Sequence, residues 1–108
     1  MSTKPVIPRA LAHRDVEAAT DYYLREGGPN LALAFIDALQ TAFRIIGASP
    51  ATGSPRHVHE LSLPGLRARA LKRHPYLVFY LEREDHIDVW RVLHANRDIP
   101  ARMQELET

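Results

Sequence analysis

Between residues 30 and 48 the large apolar residues recur at helical spacing, and beyond residue 66 they recur at strand spacing. That one change of period sets the architecture. A 3.6-residue repeat buries one stripe of a helix, and a two-residue repeat buries one face of a strand. The first half is therefore expected to be helical and the second half a sheet, and the two must share one core.

In the helical half, Phe35, Ile36, Leu39, Ala42, Phe43 and Ile46 form one stripe over residues 30–48. A helix over 10–26 precedes it, with Ala12, Val16, Ala19 and Tyr23 inward and Asp15, Glu17, Asp21 and Arg25 on other faces. Gly27-Gly28 suits a helix end and Pro29-Asn30 a new start. So short a joint predicts an antiparallel helical hairpin. Pro5-Val6-Ile7-Pro8 is apolar and proline-bounded, which limits it to an edge or terminal strand. Ser49-Pro50-Ala51-Thr52-Gly53-Ser54-Pro55 is a loop by composition.

In the strand half, residues 61–73 include a Pro64-Gly65 turn and a stretch in which Arg67 and Arg69 give one basic face. Residues 76–81 form an apolar central strand, 82–86 a charged turn, and 87–94 a third strand. Strict alternation puts Ile87, Val89, Arg91 and Leu93 on one face, with Asp88, Trp90, Val92 and His94 on the other. A short helix is expected at about 99–107, with Asp98 as its N-cap. The fold class is α+β: an N-terminal strand, the helical hairpin packed on a small, largely antiparallel sheet, and a short C-terminal helix. All 108 residues make one domain.

The absence of cysteine excludes disulfides, thiolate zinc sites and a cysteine nucleophile. No apolar run is expected to reach the roughly 20 residues that span a bilayer, so the expected location is the cytoplasm. The net charge of +1 is uninformative, but residues 56–74 carry Arg56, Arg67, Arg69, Lys72 and Arg73 against Glu60, a local net charge of +4. Such an imbalance steers an anionic or acidic partner, whereas the bland alternative is a solvated face.

The order of elements resembles that of the ParE/RelE toxin superfamily from bacterial toxin–antitoxin pairs, and the likeness spans about residues 6–106. Local motifs agree: Ala18, Asp21, Tyr22 and Tyr23 on the first helix, Ser49 to Gly53, Pro64-Gly65-Leu66-Arg67, Tyr76 to Tyr80, Arg91-Val92-Leu93-His94, and Arg97-Asp98-Ile99-Pro100. The resemblance implies a toxin held silent by a cognate, ParD-like antitoxin. In the ParE-like branch the target is DNA gyrase and there is no catalytic set. The RelE-like alternative is a ribosome-dependent endonuclease of messenger RNA, and a third possibility is a non-toxic binding module. The ending Arg91-x-x-His94-x-x-Arg97-Asp98 leans to ParE, and no tyrosine follows Tyr80, as many RelE-like nucleases would have.

A target-binding basic surface would comprise Arg67, Arg69, Lys72, Arg73, Arg91 and Arg97. A nuclease would use Arg67, Arg91, His94 and Arg97, with the cations stabilising phosphate charge and His94 moving protons. The structural alternative for His94 is a histidine that locks the strand end. His57-x-His59 lacks a third ligand, so no metal and no cofactor is expected. Among Tyr22, Tyr23, Tyr76, Tyr80 and Trp90, most are assigned to packing rather than base stacking, with Trp90 the exception because its face alternates with Arg91 and meets His94.

Overall fold

The computed structural model describes residues 3–55 and 63–96. The elements are β1 (Val6–Pro8), α1 (Ala10–Gly27), α2 (Pro29–Ala48), a 3₁₀ turn (Pro50–Thr52), β2 (Arg67–Ala70), β3 (Tyr76–Glu82) and β4 (Ile87–His94). The sheet runs β1-β4-β3-β2. β2, β3 and β4 form an antiparallel meander, and β1 adds parallel to β4 at the edge. The α+β class holds. Residues 99–107, expected to be helical, lie outside the described residues, as do Leu61 and the N-cap assigned to Asp98.

Gly28 alone joins the helices, at φ 82° and ψ −173°. Its N–H donates to the Leu24 carbonyl, closing α1, and its own carbonyl accepts from Ala32, opening α2. That region of backbone space is essentially reserved for glycine. Pro29 follows at the first turn, where its missing N–H costs nothing.

The apolar stripe of α2 is buried at Phe35, Leu39, Ala42 and Ile46, against Val78, Tyr80, Ile87, Val89 and Val92 of the sheet. Contrary to the expectation from sequence, α2 is long and apolar enough, by length and composition, to cross a membrane: 20 residues with a mean hydropathy of 1.5. Its stripe is spent on the core instead.

Two sequence expectations are corrected. The basic strand is short: only Arg67–Ala70 is extended, and Lys72 and Arg73 sit in the turn before β3, with Arg73 at φ 65°. The alternation of β4 also breaks. Tyr80 pairs with Val89 and Phe79 with Arg91, leaving Trp90 as the extra residue of a β-bulge. Ile87, Val89 and Val92 therefore face the helices, while Trp90 and Leu93 join Leu66, Ala68, Phe79 and Leu81 in a second apolar cluster. If Trp90 is left out of the count, strict alternation returns. A period of two cannot announce an inserted residue, so sequence phase failed there.

Candidate functional site

β1 covers β4 only as far as Val89, and α1 then passes beside the uncovered edge. Asp15 of α1 fills the place a neighbouring strand would take. Its Oδ2 accepts from the Val92 N–H at 3.0 Å and from Arg91 Nε at 2.8 Å, and its Oδ1 accepts from Arg91 Nη2 at 2.8 Å. The side chains are 4% (Arg91) and 8% (Asp15) exposed. The sequence expectation put Asp15 on an outer face and Arg91 on a basic surface. Instead the two neutralise each other inside the fold, where an isolated charge would be prohibitive.

Beyond this pair lies a groove of about 610 Å³ between α1 and the adjoining ends of β3 and β4, lined by Ala18, Tyr22, Arg25, Tyr76 and His94 among others. The His94 ring meets Tyr76 edge-on at 5.3 Å. Its Nδ1 accepts the Asn96 N–H at 3.1 Å, so the neutral ring carries its proton on Nε2. Tyr76 continues the ring cluster to Tyr23 and Phe35, and burial raises the pKa of Tyr23. This matches the packing role assigned to these aromatics.

The remaining cations lie towards the opposite edge of the sheet. Arg67 and Arg69 share the helix-facing side of the edge strand β2, opposite Tyr80 and Val78. Arg67 donates to the Gly53 carbonyl at 2.7 Å and Arg69 to Thr52 Oγ1 at 3.3 Å. Tyr80 is buried and donates to the Pro50 carbonyl at 2.6 Å. Burial raises its pKa, and the Gly53 backbone and the two arginines offset part of that rise. A Cβ on Gly53 would collide with the Tyr80 hydroxyl, which explains the glycine at the end of this loop. Lys72, Arg73 and His74 line a hollow of about 320 Å³ with Asp37 and Thr41 of α2. Among the described residues, none of Arg67, Arg69, Lys72 and Arg73 forms an ion pair. Arg44 of α2, which sequence reading passed over, is bonded to Thr41, one of the residues lining that hollow.

The nuclease set therefore does not converge. Arg67 lies opposite Tyr80 and His94 opposite Tyr76. They are about 13 Å apart along the strands and about 10 Å across them, from ordinary strand spacings. Arg91 is committed to Asp15. Arg97, His57 and His59 lie outside the described residues. Among the described residues there is no group of three or more potential metal ligands.

A second ionic centre was not foreseen. Asp88, 6% exposed, accepts from Arg9 at 2.9 Å through both carboxylate oxygens, from Arg83 Nε and Nη2 at 3.1 and 2.9 Å, and from Trp90 Nε1 at 3.2 Å. Burial pushes its pKa up, but the bonds and charges of Arg9 and Arg83 overcome this and hold it below the usual carboxylate value. The Arg9 guanidinium also stacks over Trp90 at 4.0 Å, so the bulge residue helps fasten β1 to β4. An aspartate inside an apolar strand was the available signal; the distance in sequence to Arg9 hid the partner.

The family model for the ParE toxin of the type II toxin–antitoxin system parDE matches residues 6–99. The chain belongs to the ParE toxin family. A solved structure described as the chromosomal ParDE toxin–antitoxin system from P. aeruginosa has the same fold, with a TM-score of 0.73 and 20% identity over 87% of this chain and 98% of that one. No curated protein sequence matches. Family membership bears out the resemblance read from the order of elements and motifs.

Proposed function

We propose that this ParE-family toxin inhibits DNA gyrase in the bacterial cytoplasm and is neutralised by a cognate, ParD-like antitoxin. The family match over residues 6–99 carries the toxin reading. The separation of Arg67, Arg91 and His94 supports an inhibitor over an endonuclease, because phosphate cleavage needs its cations and proton carrier around one reacting phosphate. The surface offered to the target is the strip of Arg67, Arg69, Lys72 and Arg73 beside α2, none of which forms an ion pair with a described acid. Such a strip speeds encounter with an acidic or nucleic-acid-bearing target and weakens with salt.

The test is gyrase supercoiling with the purified chain, with and without antitoxin. Inhibition that antitoxin reverses is the expected result. Full supercoiling at a large excess of toxin, together with transcript cleavage in a translating extract, would replace this reading with the nuclease one.

A further inference from the structure

We infer that the hollow between α2 and the turn before β3 is a phosphate site, in which Lys72, Arg73 and the Thr41 hydroxyl grip a backbone phosphodiester of duplex DNA. This deepens the gyrase reading and rests on it, because duplex DNA is what a gyrase holds. The first observation is a fixed backbone. The Leu71 N–H donates to the Tyr76 carbonyl at 3.0 Å, and the Tyr76 N–H donates to the His74 carbonyl at 2.8 Å. Leu71 is buried. The His74 ring meets Tyr23 and Phe35 edge-on at 5.4 and 5.7 Å, and its Nδ1–H donates to the Lys72 carbonyl at 2.8 Å. The two residues between these anchors, Lys72 and Arg73, are exposed. Arg73 stands at φ 65°, a conformation that suits glycine or asparagine better than arginine. Strain of this kind gathers at functional sites, and here it sets where two cations leave the chain.

The second observation is unmet polarity. Among the described residues, the Lys72 and Arg73 side chains have no hydrogen-bond or ion-pair partner. Thr41 Oγ1 accepts from Arg44 Nη2 at 3.2 Å, which leaves its own proton to donate. The third is the lining. The hollow holds about 320 Å³, and its α2 wall is Ala34, Asp37, Ala38 and Thr41. Two alanine methyls give no pocket for the large side chains that anchor protein partners. The His74 ring is already engaged by Tyr23 and Phe35, so unpaired bases find no platform to stack on. What remains suits a small anion read without regard to sequence, the phosphate of a duplex backbone. Arg67 and Arg69 extend the same charge along β2. Asp37 is the acid of the hollow, and its carboxylate opposes the anion.

The probe is a short fluorescein-labelled DNA duplex, titrated with the full chain by anisotropy over a range of salt. The parent is expected to bind at low salt and to weaken steeply as salt rises. Lys72→Ala and Arg73→Ala should each weaken binding severalfold and lower the log–log salt slope by about one. Asp37→Asn should tighten binding, which a merely structural role for Asp37 would not do. Arg14→Ala removes the same charge from α1 and should keep the parent's slope. All four positions are exposed, so each variant should melt as the parent does. Absence of duplex binding at low salt overturns the inference, and so does a slope change for Arg14→Ala equal to that for Lys72→Ala. Tighter binding to a single-stranded RNA of the same length also overturns it. Supercoiling assays run alongside separate the two readings. Gyrase inhibition without duplex binding sinks the phosphate site and leaves the gyrase reading in place. Site-dependent duplex binding without inhibition upholds the phosphate site and refutes the gyrase reading.

Discussion

Replacing Asp15 with leucine should be the most damaging single change to the fold outside the apolar core. The substitution removes the charge partner of Arg91 and the acceptor of the Val92 N–H, both buried. Breaking one side of a buried pair costs about 3–5 kcal/mol. The orphaned N–H belongs to the same loss, because relaxation around the cavity is shared. A domain of this length has about 5–15 kcal/mol in total, so the variant should retain a fold but lose about 12–20 °C in melting temperature, at about 4 °C per kcal/mol. Trp90 is the only tryptophan and sits on the same strand, so its fluorescence in urea reports the transition directly. The companion variant Asp15→Leu/Arg91→Met removes both charges together. It should recover most of the loss and keep only the cost of the unmet Val92 N–H, about 1–3 kcal/mol. Two results would refute the reasoning: an Asp15→Leu cost below about 1 kcal/mol, or a double variant whose cost equals the sum of its two singles. The double variant also separates architecture from target contact. If it folds and still inhibits gyrase, Arg91 acts only as a strut.

Gly53→Ala should destabilise the protein by about 1–3 kcal/mol through its collision with Tyr80, and Tyr80→Phe introduced alongside should relieve part of that in a urea titration. Gly28→Ala should cost about 1–3 kcal/mol for strain between the two helices, read the same way. Asp88 has a lowered pKa in the fold, so the stability it confers is present above its unfolded pKa of about 3.9 and is lost as pH falls through the folded value. Melting curves taken downward from neutral pH should therefore decline less steeply for Asp88→Asn than for the parent. Lys72→Glu with Arg73→Glu should leave the melting temperature within a few degrees of the parent but weaken gyrase inhibition by about tenfold or more, with the difference shrinking as salt rises.

The helices, the meander and the edge position of β1 were legible because each rests on local periodicity or on proline and glycine chemistry. The ionic centres were not legible. Asp15 and Arg91 are separated by most of the chain, as are Arg9 and Asp88, and only the fold brings them together. Asp15 and Arg9 looked like ordinary surface charges in sequence, and Asp88, though conspicuous in an apolar strand, gave no sign of its partner. The basic residues around β2 were recognisable as a cluster because they are neighbours in the chain. Arg91 was grouped with them on charge alone, and its burial depends on where α1 crosses β4.

The bulge at Trp90 divides β4 into two segments whose inside and outside positions are counted separately. Deleting Trp90 would leave every remaining cross-strand partner in place and both apolar faces in phase, while removing the stack on Arg9 and one donor to Asp88. Inserting a residue anywhere else in the strand would turn one segment inside out. Position 90 is thus the one joint in this strand where chain length can change without repatterning the core, and a loss there would be felt first in the attachment of the N-terminal strand.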